Sequence, residues 1–339
     1  MQNNHTPTPS GRRLALKAAG TVMLSAIAAG AQTRTHAQVN GAFPDRAARL
    51  ILPYPPGGST DTIARLITQE LASEWKQPMI VDNRPGASGM IGTEMAAKAA
   101  PDGYTALFAI TQHIQNPLLY VKVPYDPVKD FVPVTRILTV PTALAVSADL
   151  PVRNAQELLA LIRSQPGRHS YGSTGIASTS HIYGSLLDKT AKLNAVHVAY
   201  KGAGPMLSDL LGRQITFTIV DIGSLSQQVK TGKLKLLAVS GTQRVEAFRD
   251  VPTFAEAGMR DFETVSWMGI FLPAGTPRAI RDKWATSLQR YLGSPEFASR
   301  IAVIGMTPNP SGPADFSAQI AREVALWRNL ISIAQVKAE

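Results

Sequence analysis

From Arg49 onward, short apolar runs bounded by Gly, Pro and Asn alternate with stretches whose apolar residues recur every three or four positions. That alternation of periods constrains the fold more than any other feature. Strands that alternate with helices are joined by crossover connections, and the result is an α/β protein with mainly parallel sheets. Strands are expected at Arg49–Pro53, Met79–Asn83, Thr105–Ile110, Thr142–Ser147, His169–Gly172, Val196–Tyr200, Ile215–Val220, Leu234–Ser240 and Trp267–Leu272. Helical spacing is clear in Ile63/Leu66/Ile67/Leu71, Leu158/Leu159/Ile162, Met206/Leu207/Leu210/Leu211 and Ile280/Trp284/Leu288/Tyr291. Two long apolar strands, Thr142–Ser147 and Trp267–Leu272, each lead into a Pro-containing turn. They read as the two crossings of a bilobal protein, with residues 42–145 plus 263–339 as the first lobe and 146–262 as the second. A chain of 339 residues is long enough for both.

Ahead of this lies an export signal. Arg12, Arg13 and Lys17 form a basic segment, and Ala18 to Ala31 is an uncharged apolar run, too short to span a bilayer. Thr35-His36-Ala37 before Gln38 fits a cleavage site, with Ala29-Gly30-Ala31 as an alternative. The paired arginines followed by Leu14-Ala15-Leu16-Lys17 resemble a twin-arginine signal, although Gly11 and Ala15 depart from it, so the general secretory route stays open. Either route leads to the periplasm. Loss of residues 1–37 removes four cations and no acid, which takes the formal charge from +10 to +6. Lys and Arg are scattered singly with no aromatic interleaving, so no nucleic acid is expected as a partner. The chain has no cysteine, which excludes disulfides and thiolate chemistry.

Several strand–loop–helix units carry candidate ligand contacts. Tyr54-Pro-Pro-Gly-Gly-Ser-Thr-Asp61 joins an apolar strand to an amphipathic helix. Gly57 and Gly58 let a ligand approach the backbone, and Ser59 to Asp61 open a helix whose first N–H groups favour a carboxylate oxygen. The loop lacks the Gly-Lys-Ser/Thr ending of a nucleotide phosphate loop. Asn83-Arg84-Pro85-Gly86-Ala87-Ser88-Gly89 repeats the arrangement, with Ser88 either capping the next helix or meeting ligand. Tyr171-Gly172-Ser173-Thr174-Gly175-Ile176-Ala177-Ser178-Thr179-Ser180-His181 gathers hydroxyls at a third helix start. His181 has no second ligand at metal spacing and fits a packing or hydrogen-bonding role. In Val196 to Pro205, read as a unit mirroring the first, Lys201 either meets a carboxylate or is solvated, beside Gly202. Asp221 ends a strand where open α/β sheets place ligands, and equally suits a cap for a helix near Ser224.

Taken in order, these segments resemble the substrate-binding proteins of tripartite tricarboxylate transporters, also called Bordetella uptake proteins. The resemblance runs from Phe43 to Trp327. Its further markers are Pro101-Asp-Gly-Tyr104, Tyr125-Asp126 with Lys129-Asp130-Phe131, Leu237-Ala-Val239, Val251-Pro-Thr-Phe-Ala-Glu-Ala-Gly258 and Pro273-Ala-Gly-Thr-Pro277. It implies a type II periplasmic-binding-protein fold, a small organic carboxylate held between two closing lobes mostly by uncharged donors, and a monomer without a cofactor. Delivery to the membrane subunits of such a transporter is implied as well. Carried over, it puts Tyr54, Gly57, Gly58, Ser59, Asp61 and Ser88 on one jaw, and Ser173, Ser178, His181, Lys201, Gly202 and Asp221 on or near the other. Tyr54 stands where the family usually has phenylalanine.

Two other functions compete. A ligand-dependent sensor acting on a membrane receptor kinase would use the same pocket. An exported hydrolase would need an acid, base or nucleophile set, and no metal cluster, paired carboxylates or Gly-x-Ser-x-Gly signature is present.

Overall fold

The computed structural model describes residues 43–304 and 306–338; the expected export signal lies outside them. β1 (Ala48–Leu52) runs through the Tyr54 loop into α1 (Ser59–Trp75). β2 (Met79–Asn83) reaches α2 (Met90–Ala97) through one turn of 3-10 helix at Ala87–Gly89. β3 (Thr105–Ile110), α3 (Gln112–Leu119) and the long β4 (Phe131–Val140) follow. After Pro141 come β5 (Thr142–Ser147), α4 (Ala155–Ser164), β6 (Ser170–Ser173), α5 (Thr179–Ala191) and β7 (Val196–Ala199). α6 (Ala203–Leu211), β8 (Phe217–Asp221), α7 (Ile222–Lys230) and β9 (Leu234–Val239) complete that run. β10 (Ser266–Pro273), α8 (Arg278–Leu292), α9 (Pro295–Ala302) and α10 (Pro313–Ala334) end the chain.

The strands form two five-stranded sheets on one plan, β2-β1-β3-β10-β4 and β7-β6-β8-β5-β9. In each, the first three positions come from consecutive strand–helix units and pair in parallel. The fourth position is taken by a strand from elsewhere in the chain, β10 or β5, antiparallel to both neighbours. Each sheet is therefore mixed, with four strands running one way and one against them. This is the two-lobed α/β architecture of type II periplasmic binding proteins. The chain leaves the first sheet at Pro141 and returns to it between β9 and β10.

β4 is absent from the strands expected above, and Pro133 is the reason. Proline cannot donate to a ladder, which argues against a central strand. β4 lies at the sheet edge, where β10 is the one strand paired with it among the described residues, and the register slips between Ile270 and Phe271 opposite Pro133. Pro117 hid α3 in the same way.

One apolar core joins the two sheets. Leu107 and Phe271 of the first, Leu144, Phe217 and Ile219 of the second, and Trp327 of α10 belong to a single buried cluster. α10 makes the join. Its Trp327 ring lies 5.5 Å from Tyr183 of α5, Ala334 O accepts the Ser185 hydroxyl at 2.8 Å, and Glu323 accepts the Trp267 indole N–H at 2.7 Å. Burial raises the pKa of the Glu323 carboxyl. Among the described residues no helix is long and apolar enough to cross a membrane.

Candidate functional site

Beyond the carboxyl ends of β1, β3, β6 and β8 the chain passes into α1, α3, α5 and α7, through loops after β1 and β6 and almost at once after β3 and β8. Those four helix starts converge on a cleft of about 300 Å³ lined by both halves of the chain. Ser59 and Thr60 come from α1, Gln112 from α3, Thr174 and Ser178 to Ser180 from the start of α5, and Asp221 and Ser224 from that of α7. The floor is made where the chain changes sheet, by Val140 and Thr142, and by Ser266 to Met268 at the start of β10. Among the described residues no lysine or arginine lines it. Positive potential comes instead from the starts of α1, α3 and α5, each equivalent to roughly half an elementary charge, while at α7 the Asp221 carboxylate offsets it. No side chain caps α1, so its leading amides keep their capacity to donate.

The donors are held rigidly. Asp61, buried at the first turn of α1, accepts from Gly57 N at 3.1 Å, from Arg65 at 2.9 and 3.1 Å, and from Asn83 Nδ2 at 3.1 Å. The Arg65 hydrogen bond, opposed by desolvation, keeps the Asp61 carboxyl below its ordinary pKa. Asn83 Nδ2 also donates to Tyr54 O at 3.1 Å, and the Tyr54 hydroxyl accepts from Ile110 N at 3.3 Å. Burial raises the pKa of that phenol. Gly57 takes φ +92°, a conformation side chains resist, while Gly58 has φ −83°.

On the facing side a chain of hydroxyls shapes the start of α5. Ser178 Oγ accepts from His181 N at 3.2 Å, donates to Gly175 O at 2.7 Å and lies 2.9 Å from Ser180 Oγ. Ser180 Oγ in turn accepts from Thr174 N at 2.9 Å. Behind them Ser173 Oγ meets His197 Nε2 at 2.7 Å, and the His181 and His197 rings stack at 3.8 Å. His181 Nδ1 accepts from Ala177 N at 3.1 Å, which requires that nitrogen to be unprotonated. Desolvation, then the neighbouring His197, lowers the His181 pKa to about 4, and desolvation lowers that of His197.

Of the residues expected from sequence, the structure brings Ser59, Ser178 and Asp221 to the cleft wall. Asp221 also caps α7, accepting from Ser224 N and Ser224 Oγ, each at 2.8 Å. Tyr54, Gly57, Gly58 and Asp61 belong to the loop that sets the start of α1, and the Asp61 carboxylate is fully engaged there. Ser173 and His181 stand behind the α5 loop. Ser173 is wholly buried, so its pairing with histidine offers no reachable nucleophile.

Ser88, Lys201 and Gly202 do not line the cleft. Their loops follow β2 and β7, the outermost strands of their sheets. Ser88 sits at φ +55° with its hydroxyl 2.7 Å from that of Tyr120, and it caps no helix. Lys201 is exposed, and Gly202 N donates to Thr174 O at 3.2 Å. The loop facing the α1 start is therefore Thr174 to Ser180; the expected mirror unit, Val196 to Pro205, lies beside it and braces it through Tyr200 N to Ser173 O and Gly202 N to Thr174 O.

Sequence reasoning passed over Thr142, Trp267 and Met306, all on the cleft wall. Thr142 is 3% exposed, and its hydroxyl has no hydrogen-bond partner among the described residues. A buried orphan hydroxyl beside a cleft is a candidate partner for an ordered water or a bound group. Its only sequence signal was a Thr at the start of an otherwise apolar strand. Among the described residues no group of three or more His, Asp or Glu side chains could hold a metal ion.

The model of the TctC family, the tripartite tricarboxylate transporter family receptors, matches residues 63–335. A protein encoded in the tcbD-tcbE intergenic region of Pseudomonas sp. strain P51 is 34% identical over 298 residues, 88% of this chain and 89% of its own. The R. palustris protein Rpa4515, solved with adipate, superposes with a TM-score of 0.77 at 33% identity, covering 87% of this chain and 99% of that one. The periplasmic binding protein BugD gives 0.74 at 32% identity, covering 88% and 100%. This chain belongs to the tripartite tricarboxylate transporter receptor family, whose members are solute-binding receptors and not enzymes.

Proposed function

We propose that this protein is exported to the periplasm, captures a small organic carboxylate between its two lobes and delivers it to the membrane subunits of a tripartite tricarboxylate-type transporter. The observation that carries this is the cleft itself: helix starts and hydroxyls converge on it, and among the described residues no lysine or arginine lines it and the buried Thr142 hydroxyl has no partner. Such a site suits a group that accepts several hydrogen bonds and carries negative charge. The relative solved with adipate supports a carboxylate as that group.

Capture follows from the topology. The lobes, joined near residue 141 and residues 240–265, offer the α1 start to the acid when apart. Closure adds the Thr174–Ser180 loop and the start of α7, and affinity reflects the extra contacts in the closed form. Isothermal titration calorimetry of the purified protein against a panel of carboxylates and their amides tests this. Carboxylates should bind and amides should not; binding of the amides alone would overturn it.

A further inference from the structure

A second cavity of about 470 Å³ adjoins the cleft, and Val140 and Met306 line both. It opens behind the crossing of the chain between sheets and is walled by Pro141, Val245, Phe248 and Val265 among others. Met306 stands at the boundary with Gly223 next to it. A Cβ built at Gly223 would lie 3.8 Å from Met306 Cε and 3.2 Å from Asp221 Oδ1, so the glycine keeps this boundary open. Methionine, unbranched and with three side-chain torsions, moves aside more readily than any branched residue. Among the described residues the one cation lining the second cavity, Arg244, is already paired with Glu256 at 2.9 Å. Glu246 is paired in the same way with Arg249, and Glu263 adds negative charge.

We propose that the two cavities form one elongated site, in which the cleft holds a carboxylate and the chamber beyond Met306 takes an uncharged tail. The ligand class is then monocarboxylates with an extended alkyl or arylalkyl body. Short diacids lack the tail, and a second carboxylate reaching the chamber meets Glu263. This rests on the carboxylate reading of the cleft.

Calorimetry of the intact protein with straight-chain acids from butanoate to decanoate, and with adipate, tests it. Each methylene entering the chamber should raise affinity about fourfold, and adipate should bind more weakly than octanoate. Ala247→Trp, at an exposed position on the chamber wall, should flatten the rise with chain length, and Met306→Phe, which narrows the boundary, should do the same. A plateau beyond six carbons in the native protein, tighter binding of adipate, or an unchanged rise in both folded variants would overturn the elongated site while leaving the cleft a carboxylate site. Failure of every acid to bind would remove both.

Discussion

Thr142 and Gly58 separate binding from folding. The Thr142 hydroxyl is buried with no partner among the described residues, so Thr142→Val removes an unsatisfied polar group and keeps the shape. The variant should be as stable as the parent or more so, yet lose ligand affinity by about tenfold, the effect of one hydrogen bond to a charged group. Thermal unfolding and calorimetry on one sample check both halves; unchanged affinity would remove this hydroxyl from the site. Gly58→Val should fold as well, because φ −83° suits valine and its Cβ meets only Thr60 Oγ1, at 4.0 Å. The added side chain stands in front of the α1 amides, and carboxylate binding should fall at least tenfold by losing about 1.5–3 kcal/mol of charge-assisted hydrogen bonding. Normal affinity there would place the ligand elsewhere. Asp61→Ala should do the reverse and act on stability first. It strands the Gly57 N–H and the Asn83 amide, a loss of about 1–3 kcal/mol, with little added by the Arg65 pair because Arg65 is exposed. Urea denaturation measures it.

The loops after strands were the most legible elements, and also the ones most easily misassigned. Gly-Gly-Ser-Thr after β1 and the hydroxyl run after β6 announce helix starts, and both reach the cleft. The loops holding Ser88 and Lys201 look alike locally, but a strand's rank in its sheet is not written in its own residues. The 2-1-3 order of consecutive strands pushes β2 and β7 to the edges. β4 escaped notice through Pro133, and the cleft floor escaped because Val140, Thr142 and Trp267 look like ordinary strand residues until the sheet order places them. The stacked histidines make the start of α5 sensitive to acid. His181 has its pKa lowered from 6.5 to about 4, so the unfolded chain holds more protons than the folded one between those values. Stability from this group is therefore full above pH 6.5 and is lost as pH falls toward 4. A second proton on His181 also puts a donor against Ala177 N–H. His181→Asn, whose amide oxygen can stand in for Nδ1, should show a shallower loss of stability over that interval; a slope identical to the parent's would exclude the stack as the sensor.

At the level of the whole molecule, α10 decides how independent the lobes are. Trp327 is completely buried between α10 and α5, in an apolar cluster that reaches both sheets. Two lobes sharing a core should unfold together, in a single calorimetric transition with coincident fluorescence and circular dichroism. Trp327→Ala should lower stability by about 3–5 kcal/mol and split that transition; a parent protein that already melts in two steps would show that the lobes are separate units. The alternation of periods made the α/β class and the return of a late strand readable, but α10 gave no sign of its bridging role, since its amphipathic face looks the same whichever partner it covers. The crossing at Pro141 has a consequence for how such receptors diversify. Thr142 and Ser266 to Met268 line the cleft floor and open the strands that follow the two passages of the chain between the sheets. In the proposed capture, a substitution there should alter recognition and swing in one stroke, whereas the Thr174–Ser180 loop should change without touching the joint. New solute preferences should therefore accumulate on the walls of this cleft, and its floor should drift slowly.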